Sequence, residues 1–123
     1  MINQVDIMLY VNNVNEAAEF WQKGFGVTEV ETVDLPESFL SIKLTLLNQV
    51  SLQLFDKVFI QQFSPEVAMN TPSLLFKTDN IEALHQQLKL VSPFVSEIIN
   101  ETGVKQFHFS DKENNYFAVM ANK

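Results

Sequence analysis

The sequence predicts an α+β domain in which one strand–helix–three-strand unit is used twice. Three observations carry this prediction. Short stretches alternate apolar and polar side chains with the period of a half-buried strand. Two segments switch to helical spacing just after an Asx residue followed by Glu at the third position. The two halves also match at a nearly constant offset, and an internal repeat of this kind sets the fold before any other signal does.

From the start, residues 1–11 read as a strand, with Val5, Ile7, Leu9 and Val11 alternating with Gln4, Asp6, Met8 and Tyr10. Asn13 and Glu16 form a variant capping box, Ala17, Ala18, Phe20, Trp21 and Phe25 follow at helical spacing, and Gly24 and Gly26 offer a stop. Strands are predicted over 27–33, 39–47 and 50–55, with turns at 34–38 and 48–49. Residues 56–71 are the least regular stretch, in which Phe59, Ile60 and Phe63 can make a short amphipathic turn of helix. The pattern then returns. A strand over 73–78 precedes a cap at Asp79 with Glu82, a helix whose face is Ile81, Leu84, Leu88 and Val91, and strands over 94–99, 104–110 and 115–120. Asn13, Glu16 and Ala17 align with Asp79, Glu82 and Ala83 at an offset of 66, and Gln53 aligns with Ala118 at 65. The expected organisation is a single domain over 1–123, with a first module at about 1–56, a linker at 57–71 and a second module at about 72–123.

Composition excludes several functions. With 46% hydrophobic side chains, eleven Phe and one Trp in 123 residues, the chain carries enough apolar area to bury a core without metal or disulfide. The net charge is −7, and every cation is Lys. A phosphate backbone asks for a clustered basic footprint, and guanine edges favour Arg forks. Nucleic acid and acidic membrane surfaces are therefore not expected partners, whereas a cationic or neutral small molecule is electrostatically comfortable. No apolar run approaches the roughly 18 residues of a membrane span, and no secretory signal pattern is visible. Without Cys there is no thiolate chemistry and no Cys-based zinc site. These features together lead to a cytoplasmic expectation.

The segments LYVNNVNEAAEFWQKGFGV, FKTDNIEALHQQL and FHFSDKENNYFAVM resemble those of the vicinal oxygen chelate superfamily, which includes glyoxalase I, bleomycin-resistance proteins and extradiol dioxygenases. The last segment is similar to that superfamily's closing hairpin, here DKENN, followed by its final strand. The resemblance covers nearly the whole chain. It implies two βαβββ modules whose sheets curve into a cup, with helices outside and ligand within, and it implies a homodimer. It also implies four positions at which the superfamily's metal enzymes place His and Glu ligands; they fall on Asp6, Gln53, Ser73 and Ala118. One carboxylate and one amide do not make a divalent site that needs three good ligands. No metal, no cofactor and no catalytic residue is therefore assigned.

If Ile7, Leu9, Leu52, Leu54, Phe107, Phe109, Phe117 and Val119 face the helices, the other parity lines the cup. In the first module these are Asp6, Met8, Tyr10, Lys43, Gln53 and Phe55, with Ser51 beside them. In the second they are Ser73, Leu75, His108, Tyr116 and Ala118, with Met120. Aromatic walls with a few orienting polar groups are the make-up of a ligand cavity; the same residues can instead fill a subunit interface or a collapsed cup. Asp6 needs a partner if buried, with Lys43 or His108 as candidates. His108, between Phe107 and Phe109, points away from the apolar face, while His85 is read as a surface residue and Trp21 as core. The resulting expectation is metal-independent binding or sequestration of a small, partly apolar molecule. The alternatives are a lyase or dioxygenase-type enzyme with a non-standard metal site or His108 as proton shuttle, and a protein-interaction module.

Overall fold

A computed structural model describes residues 1–101 and 103–122. The chain forms two compact units, one of Met1–Gln22 with Gly26–Pro72 and one of Lys23–Phe25 with Ser73–Lys123. The elements up to the linker are β1 (Val5–Val11), α1 (Val14–Phe25), β2 (Val30–Asp34), β3 (Leu40–Leu47), β4 (Val50–Asp56) and α2 (Lys57–Phe63). Those after it are β5 (Leu75–Thr78), α3 (Ile81–Lys89), β6 (Ile99–Glu101), β7 (Val104–Ser110) and β8 (Tyr116–Ala121). The sheets run β1-β4-β3-β2 and β5-β8-β7-β6, so the same open, mixed topology occurs twice. In each, the first strand pairs parallel with the last and the other pairs are antiparallel. Among the described residues, no helix is long and apolar enough to cross a membrane.

The helix starts follow from local chemistry. Asn13 Oδ1 accepts from the Glu16 amide at 2.9 Å, and Gly26 ends α1 in the left-handed region at φ 67°. A side chain there would carry a Cβ penalty that glycine avoids. The second cap is Asn80, not Asp79: Asn80 Oδ1 accepts from the Ala83 amide at 3.1 Å, while Asp79 Oδ1 accepts from Asn122 Nδ2 at 2.8 Å. The caps are thus 67 positions apart rather than 66. Gln53 and Ala118 keep the offset of 65, because Gln53 pairs with Met8 as Ala118 pairs with Leu75.

Central strands carry the cores. In the first unit Leu44, Leu52 and Leu54 are fully buried, together with Val11, Phe20 and Trp21. Each such side chain contributes about 1.5–3 kcal/mol relative to exposure. In the second unit the buried set is Phe107, Phe109, Phe117, Val119 and Leu88, with Phe25 against Phe76 at 5.0 Å and against Phe109 at 5.7 Å.

Some expected boundaries move. The first strand begins at Val5, and Met1–Gln4 are exposed. The strand expected over 94–99 gives one bridge, Val95 to Phe109, and regular pairing only from Ile99. Side-chain bonds explain the interruption: His85 Nε2–H donates to the Ser96 carbonyl at 2.8 Å, and the His108 amide donates to Ser96 Oγ at 2.8 Å. His85 is therefore not a surface residue. It is 9% exposed and stands edge-on to Phe107, with ring centres 4.8 Å apart. In the irregular stretch, Asp56 caps α2 by accepting from the Val58 amide, and Phe59 packs on Phe39 and Phe63.

Candidate functional site

In the first unit the face away from Leu52 and Leu54 is built as register rows. Asp6 lies across from Ser51 and Ser51 across from Thr45; Met8 pairs with Gln53, Gln53 with Lys43, and Lys43 with Glu31; Tyr10 pairs with Phe55. Asp6, Met8, Tyr10, Lys43, Gln53 and Phe55 therefore do share one face. It is graded. Its aromatic end is Tyr10 and Phe55, with ring centres 6.3 Å apart, and α2 packs against β4 and β1. Its polar end opens into a cavity of about 510 Å3 lined by Gln4, Thr28, Glu29 and Val30, by Glu31, Lys43 and Thr45, and by Asn48, Gln49 and Ser51.

The charges on this face are organised around Asp6. Gln4 Nε2 donates to Asp6 Oδ1 at 2.8 Å, and Lys43 Nζ lies 3.4 Å from Asp6 Oδ2. The Gln4 hydrogen bond, and after it the Lys43 ammonium, hold the Asp6 carboxyl below the ordinary aspartate range. Beside the pair, Gln53 Nε2 donates to Ser41 Oγ at 3.1 Å, and the fully buried Ser41 hydroxyl donates to the Leu54 carbonyl at 2.8 Å. Gln53 is thereby fixed on the face by a residue that belongs to the next strand.

The second unit presents a different face. Leu75, Ala118 and His108 form one register row, and Tyr116 pairs with Ser110. Leu75 is 51% exposed and Tyr116 60%, and Phe94 stands 6.1 Å from Tyr116, itself 46% exposed. Ser73 precedes β5 and lies outside the sheet pairing. The hairpin that carries Tyr116 is fixed by the buried Asp111, whose carboxylate accepts from the Glu113 amide, the Asn115 amide and Asn115 Nδ2, each at 2.9 Å. Asn114 completes the turn at φ 63°, a conformation Asn tolerates.

At the four positions that the resemblance assigns to metal ligands, the side chains are one carboxylate, one amide, one hydroxyl and one methyl, a set short of the three good ligands a divalent ion needs. Asp6 is engaged by Gln4 and Lys43, Gln53 points its amide nitrogen at Ser41, and Ala118 has no donor atom. Among the described residues there is no group of three or more His, Cys, Asp or Glu side chains placed to hold an ion.

The duplicated βαβββ topology has counterparts among known proteins. The model of the glyoxalase/bleomycin resistance protein/dioxygenase superfamily matches residues 2–119. The chain belongs to that superfamily. Solved structures share its fold at low sequence identity. TioX from Micromonospora sp. ML1 superposes with a TM-score of 0.79 at 9% identity, over 98% of each chain. TnmS3, an antibiotic binding protein from Streptomyces sp. CB03234, gives 0.73 at 19% identity, over 100% of this chain and 98% of that one. A glyoxalase/bleomycin resistance protein/dioxygenase from Nocardioides gives 0.72 at 15%, over 98% and 83%. No curated protein matches in sequence. Among solved structures of this fold, then, at least one is described as an antibiotic binding protein.

Strand parity located the face but not its whole extent. Glu29, Glu31, Thr45 and Gln49 line the cavity beside Lys43, and Phe94 joins Tyr116. The alternation of Glu29 and Glu31 around Val30 was a usable signal. What it lacked was the pairing of Glu31 with Lys43, which fixes β2 on the same face.

Proposed function

We propose that this chain binds and sequesters a small, partly apolar molecule without a transition metal. The observation that carries this reading is the partly exposed, chemically mixed face that each unit leaves opposite its core: Met8 and the half-buried Tyr10 beside Gln53 and Lys43 in one, Leu75 and Tyr116 beside His108 in the other. Large apolar side chains held at 43–60% exposure on a strand face are what a ligand site needs and a solvated face avoids. The description of TnmS3 as an antibiotic binding protein supports the same direction. The donor set at Asp6, Gln53, Ser73 and Ala118 supports binding without metal.

Calorimetric titration with a panel of planar aromatic compounds tests the reading, with equilibrium dialysis against nickel, zinc, manganese and iron run in parallel. The expected result is saturable uptake of an aromatic compound, weakened about tenfold by Tyr116→Ala or Leu75→Ala. Stoichiometric, tight metal uptake that brings lyase or dioxygenase turnover would overturn it. His108 is the residue on which an enzymatic alternative rests, so a turnover abolished by His108→Ala with binding intact would favour catalysis. The sheets end in edge strands, β2 and β6 among them, and a homodimer that covers such edges accords with the proposal. Sedimentation showing only the 14.1 kDa species at micromolar concentration would refute the dimer. A reducing cytoplasm suits a chain without Cys.

A further inference from the structure

We infer that the cavity at the polar end of the first unit takes a polyhydroxylated amine, of the kind an amino-sugar ring presents; this rests on the small-molecule reading above and names the chemistry of one part of the ligand. Its volume of about 510 Å3 lies within the ~300–1,000 Å3 of small-molecule sites. Its charges are unbalanced. Lys43, the register partner of Glu31, sits instead at 3.4 Å from Asp6. Glu29 and Glu31 line the cavity, and neither carboxylate has an ion-pair or hydrogen-bond partner among the described residues. An ammonium placed between them replaces the counter-charge that Lys43 gives elsewhere.

A second, independent observation is the hydroxyl of Ser51. Ser51 is only 4% exposed, it lines the cavity, and its side chain makes no hydrogen bond among the described residues. A hydroxyl so placed is satisfied by an atom that enters the cavity. Thr45 and Gln49 complete the lining with groups that both donate and accept, which matches the same duality in sugar hydroxyls. Anions are repelled here, and a purely aliphatic ligand leaves Ser51 unpaired.

The test is titration calorimetry at low salt with three probes. These are the glucosamine dimer with both amines charged, its N,N′-diacetylated counterpart with the same ring hydroxyls and no charge, and spermidine with charge and no hydroxyl. The expected result is that the amine dimer binds, the diacetylated dimer and spermidine bind at least tenfold more weakly, and added salt weakens the amine dimer. Glu29→Gln with Glu31→Gln should weaken the amine dimer about tenfold, and Ser51→Ala about threefold. Both glutamates are exposed, so the double variant keeps the fold, and a thermal melt checks it. Equal binding of the diacetylated dimer or of spermidine, no effect of the double variant, or no binding of the amine dimer at about 10 mM would each overturn the inference. If an aromatic compound still binds in that last case, the small-molecule reading stands and only the amine assignment falls. If no probe and no aromatic compound binds, both fall.

Discussion

The hairpin that presents Tyr116 gives a quantitative test of how the second unit holds its face. Asp111 is 5% exposed, and its carboxylate accepts from two backbone amides and one side-chain amide, each at 2.9 Å. Asp111→Ala deprives all three donors of their acceptor. Hydrogen bonds to a charged group contribute up to roughly 1.5–3 kcal/mol each, but a turn opens to water once the carboxylate is gone, so the loss is about 3 kcal/mol in total rather than the full sum. With an unfolding entropy of about 2.1 cal/mol/K per residue, this corresponds to a fall in Tm of roughly 10 °C. Asp111→Asn keeps one acceptor oxygen for the two backbone amides and sets an NH2 against Asn115 Nδ2, so about half the loss is expected. Urea unfolding followed by circular dichroism measures both variants. A loss below about 1 kcal/mol for Asp111→Ala would show that the turn is held by its backbone alone, and that the carboxylate is not what fixes it.

His85→Ala should cost about 2–3 kcal/mol in the same assay, because it removes the donor to the Ser96 carbonyl and the packing on Phe107 together. Gly24→Ala sets helix propensity against space. The added Cβ would stand 2.9 Å from Leu88 Cδ2, and Leu88 is fully buried, so the expected ~1 kcal/mol helical gain is outweighed and the variant melts lower. Asp6 has its carboxyl held below the ordinary range in the folded chain, so the contribution of its interactions with Gln4 and Lys43 is present at neutral pH and lost as the pH falls below about 4. Asp6→Asn should therefore flatten the decline of the urea midpoint in that acidic window and leave its salt dependence smaller near neutrality; an unchanged acid profile would refute the pairing.

Most of the architecture was legible because both periods are strong in this chain. Leu52 and Leu54, or Phe107 and Phe109, alternate with polar neighbours on two-residue spacing, and the fully buried apolar side chains of the strands follow that parity. The Asp6–Lys43 pair was reachable in the same way, since both residues fall on one parity. The start of the second helix is ambiguous by one residue in the sequence, because Asp79 and Asn80 are both good caps and only the competing bond from Asn122 decides which one is used. The burial of His85 is hidden in the sequence because Gln86 and Gln87 beside it read as a polar face, whereas its acceptor, Ser96, lies eleven residues on in a segment with no periodicity. The cavity needed register as well as parity. Glu29, Glu31 and Gln49 come from an irregular connection, an edge strand and a turn, and no local pattern says that they meet around Ser51.

The pairing of the first strand with the last in each unit has a consequence for how the chain is made. Val5 cannot meet Val50, nor Leu75 meet Ala118, until more than forty intervening residues have left the ribosome. Hairpins between later strands close early and cheaply, while the parallel seam waits on the larger loop and its entropy. The opening strand of each half therefore spends the longest time unpaired during synthesis, and residues such as Val5 and Leu75, which stay half uncovered even at the end, are the ones through which a nascent chain would first meet a chaperone or another copy of itself.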